Sequence, residues 1–265
     1  MPRVEVGGLE ITYERAGSGP PLVLLHGYVG DGRTTWPHQI DELSSDFTVL
    51  AWDAPGAGGS TDPPESLGMA GYADCLAAFL RELGIEQAHV GGLSFGAALA
   101  IAFAVRHRTV PRSLILISAY AGWAGSLPAP QAEQRLEQAL ALSGLSSDEF
   151  VAALLPTMFR PSASAADVAS FAAAMAEFHP VGFRAMSRAL AEDLRAVLPQ
   201  IAVPTLLLYG DEDIRAPRHV AEALSAALPG SRLVFVPDAG HVCTVESPEV
   251  VNHHIRSFLT SLGGR

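Results

Sequence analysis

The sequence predicts an α/β fold, with a mostly parallel, eight-stranded sheet flanked by helices. Six short apolar runs alternate with stretches of helical spacing, and continuous apolar strands are typical of a parallel sheet covered on both faces. A hairpin at the start of the chain and one long helical stretch without strands complete the pattern. A chain of 265 residues is long enough for one α/β domain that carries an insertion.

The first two strands are predicted to form the hairpin. Residues 4–6 and 10–14 are rich in strand-forming residues and flank Gly7-Gly8, which favours an antiparallel turn. The six later strands are Leu22–Leu25, Phe47–Trp52, Ala88–Gly92, Ser113–Ser118, Pro204–Tyr209 and Arg232–Val236. The predicted helices between them are Trp36–Leu43, Tyr72–Leu83, Phe95–Arg106, Ala216–Leu228 and Glu249–Leu262.

Residues 120–190 break this alternation. The segment contains no convincing strand, is rich in Ala, Leu, Gln and Glu, and repeats apolar residues at helical spacing between prolines. We expect several helices that form a lid over the carboxyl edge of the sheet. The predicted organisation is therefore an α/β core in two parts, residues 1–119 and 191–265, around a helical lid at 120–190.

Charge and composition narrow the class of partner. The net charge of −11 and the scattered arginines argue against nucleic acid and against an anionic membrane. No apolar stretch is long enough for a membrane span, and the first residues lack the apolar core of a secretion signal. We expect a cytoplasmic protein with free thiols at Cys75 and Cys243 and a small-molecule substrate, and the oligomeric state stays open.

The run from Gly92 to Gly96 contains a G-x-S-x-G pattern centred on Ser94. It lies between a strand-like run and an apolar, Ala-rich helix, and a serine on such a sharp turn is exposed for attack on a carbonyl. Side chains in place of the flanking glycines would clash in so tight a turn. Ser94 is therefore the predicted nucleophile, although the pattern alone also fits a plain turn residue.

A serine nucleophile needs a histidine base and an orienting carboxylate, which in a parallel sheet should follow strand ends. The seventh strand leads into Gly210-Asp211-Glu212-Asp213, and the eighth leads towards His241. The order Ser, acid, His fits a catalytic triad. Asp211 and Glu212 remain alternatives to Asp213 as the acid.

With these motifs the chain resembles the α/β-hydrolase-fold serine hydrolases over nearly its full length. Further matches are His26-Gly27-Tyr28 after the third strand and a shifted form of the family's Asp-x-x-Gly loop that begins at Asp53. The resemblance implies that Asp213 is the triad acid and that the oxyanion hole consists of the backbone N–H groups of Phe95 and Tyr28. It also implies that His26 buttresses its loop; Asp53 is expected to brace its own loop through hydrogen bonds.

The substrate pocket is harder to read. Trp123, Phe159, Met175 and Val242 are candidate substrate-binding residues, with filling of the lid's own core as the alternative. Because the predicted lid brings few charges to inner positions, we expect neutral, hydrophobic esters to be preferred over anionic lactones by at least ~10-fold. This preference would reverse if Arg184, Arg188 or His179 points inward.

The predicted function is a serine carboxylesterase that forms an acyl-enzyme. Lactonases, C–C bond hydrolases and perhydrolases share the same triad and stay open, as does a low-turnover small-ligand receptor of the same fold. No metal-binding or phosphate-binding pattern is present, so no metal and no cofactor are expected.

Overall fold

The strands of the computed structural model, which describes residues 1–263, form one eight-stranded sheet in the order β1-β2-β4-β3-β5-β6-β7-β8. The strands are β1 Arg3–Val6, β2 Leu9–Ala16, β3 Pro21–Leu25, β4 Thr48–Trp52, β5 Ala88–Leu93, β6 Pro111–Ile117, β7 Thr205–Gly210 and β8 Arg232–Val236. The hairpin β1–β2 pairs antiparallel at one edge, and the other six strands are parallel. The predicted fold class, with its mostly parallel sheet, is confirmed.

Helices flank this sheet in two groups. They are α1 Gly32–Thr35, α2 Pro37–Leu43, α3 Gly68–Glu82, α4 Phe95–Arg106, α5 Trp123–Ser126, α6 Ala129–Leu142, α7 Ser147–Leu154, α8 Ala165–Ala176, α9 Pro180–Leu190, α10 Arg218–Ala227, α11 Cys243–Glu246 and α12 Pro248–Gly263, with 3-10 turns at Leu155–Thr157 and Arg195–Gln200. Helices α2, α11 and α12 pack together, whereas α3 and α4 pack with each other and α4 contacts the second 3-10 turn. Each helix within residues 1–263 is too short or too polar to cross a membrane.

Burial explains the apolar strands. Every residue of β4, β5 and β7 is buried, because helices cover both faces of the sheet. The edge strand β8 is only partly buried over residues 233–235. Cys75 in α3 and Cys243 in α11 are both buried and free of a disulfide.

The segment between β6 and β7 is helical, with α5 to α9 and a 3-10 turn inside residues 120–190. We call residues 120–190 the insertion. A hydrogen bond 2.9 Å long, from the N–H of Leu194, four residues beyond the insertion, to the Ala121 carbonyl, holds its two ends together. Inside it, Phe150 stacks on Phe178 with ring centroids 3.7 Å apart, and Phe183 packs edge-on against both. The insertion thus has an aromatic core of its own.

The turn between β5 and α4 is a tight junction of helix and sheet. A Cβ on Gly92 would overlap the Gly96 carbonyl, and a Cβ on Gly96 would overlap the Leu25 carbonyl at the end of β3. Helix and sheet can approach this closely only where both positions lack a side chain. The residue between them, Ser94, adopts φ 54° and ψ −107°, a strained conformation for a non-glycine residue.

Gly96→Ala should destabilise the protein, although alanine favours a helix over glycine by about 1 kcal/mol. The added methyl group meets the rigid backbone of β3, and overpacking of this kind costs about 1–3 kcal/mol. Urea unfolding should show the loss. Gly144→Ala is the matched control, because its Cβ would lie 3.6 Å from the Ala141 carbonyl oxygen, an ordinary contact. A Gly96→Ala protein as stable as wild type would refute the steric argument.

Candidate active site

Three strand ends bring the predicted triad residues to the carboxyl edge of the sheet. Ser94 follows β5, Asp213 lies three residues after β7, and His241 lies five residues after β8. All three residues are buried, with 3%, 4% and 3% of their surface exposed. Three non-glycine residues within 1–263 have a positive φ, namely Ser94, Ser118 and Asp238, and each follows a strand end at this edge. Backbone strain of this kind clusters at functional sites.

Asp213 and His241 form a buried hydrogen-bonded pair. Nδ1 of His241 lies 2.9 Å from one carboxylate oxygen of Asp213 and 3.1 Å from the other. Because an ionised carboxylate only accepts hydrogen bonds, Nδ1 carries the proton and Nε2 is left as the unprotonated nitrogen of the neutral ring. Asp213 also accepts the backbone N–H groups of Arg215 and Ala216, at 2.8 and 2.9 Å.

These partners lower the pKa of Asp213. Burial alone would raise the pKa of this carboxyl, but the charge and hydrogen bond of His241 and the Ala216 N–H outweigh burial and lower it to about 2. The neighbouring Asp211 and Glu212 are exposed and make no hydrogen bond to His241 within residues 1–263. Of the three carboxylates after β7, the structure therefore places Asp213 against the imidazole.

The end of β6 is hydrogen-bonded to the backbones of both Ser94 and His241. The Ser94 N–H donates to the carbonyl of Ile117, the last residue of β6, at 2.9 Å. The next residue, Ser118, donates its hydroxyl to the His241 carbonyl at 3.0 Å. Ser94 and His241 are thus each fixed by a hydrogen bond to one of two consecutive residues. Ser118 was missed by sequence reasoning; its position after an apolar strand was the available signal.

The loop after β3 lies against the Ser94 turn. A Cβ on Gly27 would lie 4.0 Å from the Cβ of Ser94. Nε2 of His26 accepts the Ala54 N–H at 2.9 Å, so Nδ1 carries the proton and donates to the Gly27 carbonyl at 2.5 Å. Burial lowers the pKa of His26, which favours this neutral form. His26 therefore ties two loops together, as the resemblance implies.

Asp53 holds the adjoining loop in the same way. Its carboxylate accepts the N–H groups of Gly32 and Gly59 at 3.0 and 2.9 Å, and the Ser60 hydroxyl donates to its carbonyl. These bonds agree with a bracing role.

Comparison with known proteins fits this geometry. The family model of the alpha/beta hydrolase fold matches residues 20–248. The chain belongs to the α/β-hydrolase fold family. The chain is similar to an esterase from Thermogutta terrifontis, solved with malate bound, which is 30% identical and has a TM-score of 0.90 over 99% of both chains.

Two further relatives of this α/β-hydrolase are similar over almost their whole length. The pimeloyl-[acyl-carrier protein] methyl ester esterase of Vibrio vulnificus is 30% identical over 94% of this chain and 98% of its own. The enol-lactonase of Burkholderia xenovorans is 25% identical, with a TM-score of 0.85 over 98% of this chain and 100% of its own. These relatives support a hydrolase whose finer substrate class is open.

The Tyr28 side chain is buried among aromatic groups and one cation. Its ring stacks on Phe183 with centroids 5.0 Å apart and meets Trp123 edge-on at 6.0 Å, and the Arg215 guanidinium lies 5.5 Å from its centroid. The Tyr28 hydroxyl accepts a hydrogen bond from Arg215 at 2.5 Å. In this α/β-hydrolase, Tyr28 therefore links the loop beside Ser94 to the insertion.

The predicted substrate-binding residues are all buried. Trp123 and Met175 are 1% and 0% exposed, Phe159 packs edge-on against Phe171, and Val242 follows His241 directly. Two cavities border Tyr28, and neither is lined by Trp123, Phe159, Met175 or Val242. Their contact with substrate stays a prediction.

Three charged groups of the insertion would reverse the expected preference for neutral esters if they pointed inward. Each of them pairs with an acidic side chain. Arg184 and Arg188 bind Glu65, and His179 binds Asp62. His179 also lines a small cavity of about 30 Å³ beside Tyr28.

The larger cavity, of about 230 Å³, is lined by one charged residue of the insertion, Arg135, and by Arg215 from the turn after β7. Sequence reasoning missed both residues. The position of Arg215, two residues after Asp213, was a usable signal, whereas Arg135 lies in an ordinary helix.

No three His, Cys, Asp or Glu side chains within residues 1–263 are grouped to hold a metal ion. The expected absence of a metal and a cofactor stays a prediction.

The low pKa of Asp213 predicts a specific acid sensitivity. Because its folded-state pKa of about 2 lies below the ordinary 3.8, the ionised carboxylate stabilises the fold above that ordinary value, and this contribution is lost as pH falls towards 2. Between pH 6 and pH 2.5 the loss is roughly 1–2 kcal/mol. Urea unfolding of Asp213→Asn should show a smaller fall over this range. Asp211→Asn, at an exposed site, should retain the wild-type fall; an equally steep fall in Asp213→Asn would contradict the argument.

Proposed function

We propose that this α/β-hydrolase is a serine hydrolase that cleaves carboxylic esters through an acyl-enzyme intermediate. The observation that carries the proposal is the buried Asp213–His241 pair, which the end of β6 ties to the strained turn that holds Ser94. A histidine held in one tautomer by a buried carboxylate is the arrangement that activates a serine hydroxyl.

The proposed acylation step begins at the ester carbonyl. Ser94 Oγ attacks the carbonyl carbon while Nε2 of His241 takes the hydroxyl proton. The resulting imidazolium is stabilised by Asp213, which stays ionised because its pKa is low. The tetrahedral intermediate collapses, the C–O bond to the alcohol breaks, and His241 returns its proton to the leaving oxygen.

The developing oxyanion needs donors that are already in place. Phe95 is the first residue of α4, so its N–H is one of those that a helix leaves without an intrahelical partner. The N–H of Tyr28, in the loop next to Ser94, is the proposed second donor. Deacylation repeats the sequence with water: His241 removes a proton from water, the hydroxide attacks the acyl carbon, and Ser94 leaves with the proton.

The insertion is proposed to act as a lid. Its residues Trp123 and Phe183 enclose the Tyr28 ring, which excludes water from that side of the candidate site. Because a lactone is an internal ester, the same steps would open one. Similarity to an enol-lactonase makes lactones the second candidate substrate class.

Ser94→Ala should lower kcat for 4-nitrophenyl butyrate by ~10³-fold or more, because no other group supplies the attacking oxygen.

Asp213→Asn should lower kcat far more than it changes KM, and Asp211→Asn, at an exposed carboxylate, serves as the matched control. Stopped-flow and steady-state assays of folded variants provide the values.

Labelling with a fluorophosphonate probe, followed by mass spectrometry, tests whether Ser94 is the nucleophile. The probe should add one adduct to the Ser94 peptide of wild type and none to Ser94→Ala. Most of the activity surviving in a folded Ser94→Ala protein would overturn the mechanism. Stoichiometric binding of esters without turnover by wild type would instead identify a ligand receptor.

A further inference from the structure

A cavity of about 230 Å³ adjoins the candidate site on the side of Tyr28. One water occupies ~30 Å³ in the liquid, so the space takes a small organic molecule rather than a single solvent molecule. Its walls include apolar side chains from the insertion, such as Leu142 and Leu154, together with Arg135 and Arg215. None of the described residues that line it is acidic. Ile214, also on its wall, is 70% exposed, which places the mouth at the surface.

The two guanidinium groups in this cavity bind only neutral acceptors. Arg215 donates to the Tyr28 and Thr157 hydroxyls at 2.5 and 2.8 Å. Arg135 donates to the Tyr120 hydroxyl at 2.8 Å and faces the Arg215 carbonyl at 3.4 Å.

Other arginines of the insertion pair with carboxylates. Arg184 and Arg188 bind Glu65, and Arg160 lies among Glu212, Asp238 and Glu246. Within residues 1–263, neither Arg135 nor Arg215 forms an ion pair with a carboxylate. Two positive charges therefore face one cavity in a chain whose net charge is −11.

The arginines are also held in place. The Arg215 guanidinium lies 5.5 Å from the Tyr28 ring centroid, and that of Arg135 lies 5.6 Å from Tyr120 and 5.9 Å from Trp123. A guanidinium keeps its charge at all relevant pH values, and a fixed planar one matches the two oxygens of a carboxylate.

The charge of Asp213 acts on Arg215, but its carboxylate binds His241 and backbone N–H groups rather than either guanidinium. A bound carboxylate would therefore offset the cost of partly burying two like charges.

We propose that Arg135 and Arg215 form a carboxylate subsite and that the preferred substrates are half-esters of short dicarboxylic acids. The proposal rests on the proposed function, because the ester carbonyl lies at Ser94 while the free carboxylate lies in the cavity beyond Tyr28. The subsite reverses the sequence-based expectation that neutral esters are preferred. It selects the substrate by charge and leaves the chemical step to Ser94, Asp213 and His241.

The kinetic test compares two esters that differ only in the terminal group, monomethyl adipate and methyl hexanoate, at pH 7.5. Wild type should favour the half-ester by at least 10-fold in kcat/KM. Arg135→Gln should lower this preference ratio at least 10-fold, mainly through KM of the half-ester, and Arg135→Lys should restore part of it. Arg188→Gln removes one charge from the same insertion and should keep the wild-type ratio.

A binding test separates the subsite from the reaction. Calorimetric titration of Ser94→Ala with monomethyl adipate should show binding that weakens at least 10-fold on adding Arg135→Gln and that weakens in 0.5 M NaCl. Such binding without turnover by wild type would support the subsite and overturn the proposed function. Ester hydrolysis with a preference ratio that Arg135→Gln leaves unchanged would overturn the subsite and leave the proposed function standing. Equal affinity for adipate half-ester and methyl hexanoate would also overturn the subsite.

Discussion

The close approach of α4 to β3 is the constraint on which the candidate site depends. Gly92 and Gly96 permit it, because any side chain there would overlap a backbone carbonyl. The chain turns between them with Ser94 at φ 54° and Phe95 at the start of a helix. A non-glycine residue in such a conformation costs about 1–3 kcal/mol, and the buried strands on either side of the turn hold Ser94 in it. One packing requirement thus positions both the proposed nucleophile and one of the proposed oxyanion donors.

The other groups depend on β6, the strand beside β5. Its last residue fixes the Ser94 backbone, and Ser118 fixes that of His241. Asp213 then completes the site from the end of β7. Because parallel strands end at one edge, residues distant in sequence meet without long loops. Tyr28 connects these residues to the neighbouring cavity, because its ring and hydroxyl contact Arg215 there.

Sequence reasoning predicted the sheet because continuous apolar runs between helical segments are typical of buried parallel strands. It predicted Ser94 and His241 as candidates because each follows such a run. Asp213 could be separated from Asp211 and Glu212 only by resemblance, and the structure adds the hydrogen bonds that distinguish it. Arg135 could not be predicted in this way. Helical spacing says which residues share a face, but not that an arginine of α6 meets one from the turn after β7. Contacts of this kind, between residues far apart in the sequence, are seen only in the folded structure.

The hydrogen bond between Leu194 and Ala121 closes the insertion at its base. The ends of the segment are therefore held together by the core, whatever lies between them. Since loop-closure entropy rises by only about 0.6 kcal/mol for each doubling of length, the segment can lengthen or shorten at little cost to the sheet. Arg135 belongs to this exchangeable part, whereas Arg215 belongs to the fixed core. Substrate charge preference can consequently diverge among relatives through replacement of one helical segment, while the residues that surround Ser94 stay where they are.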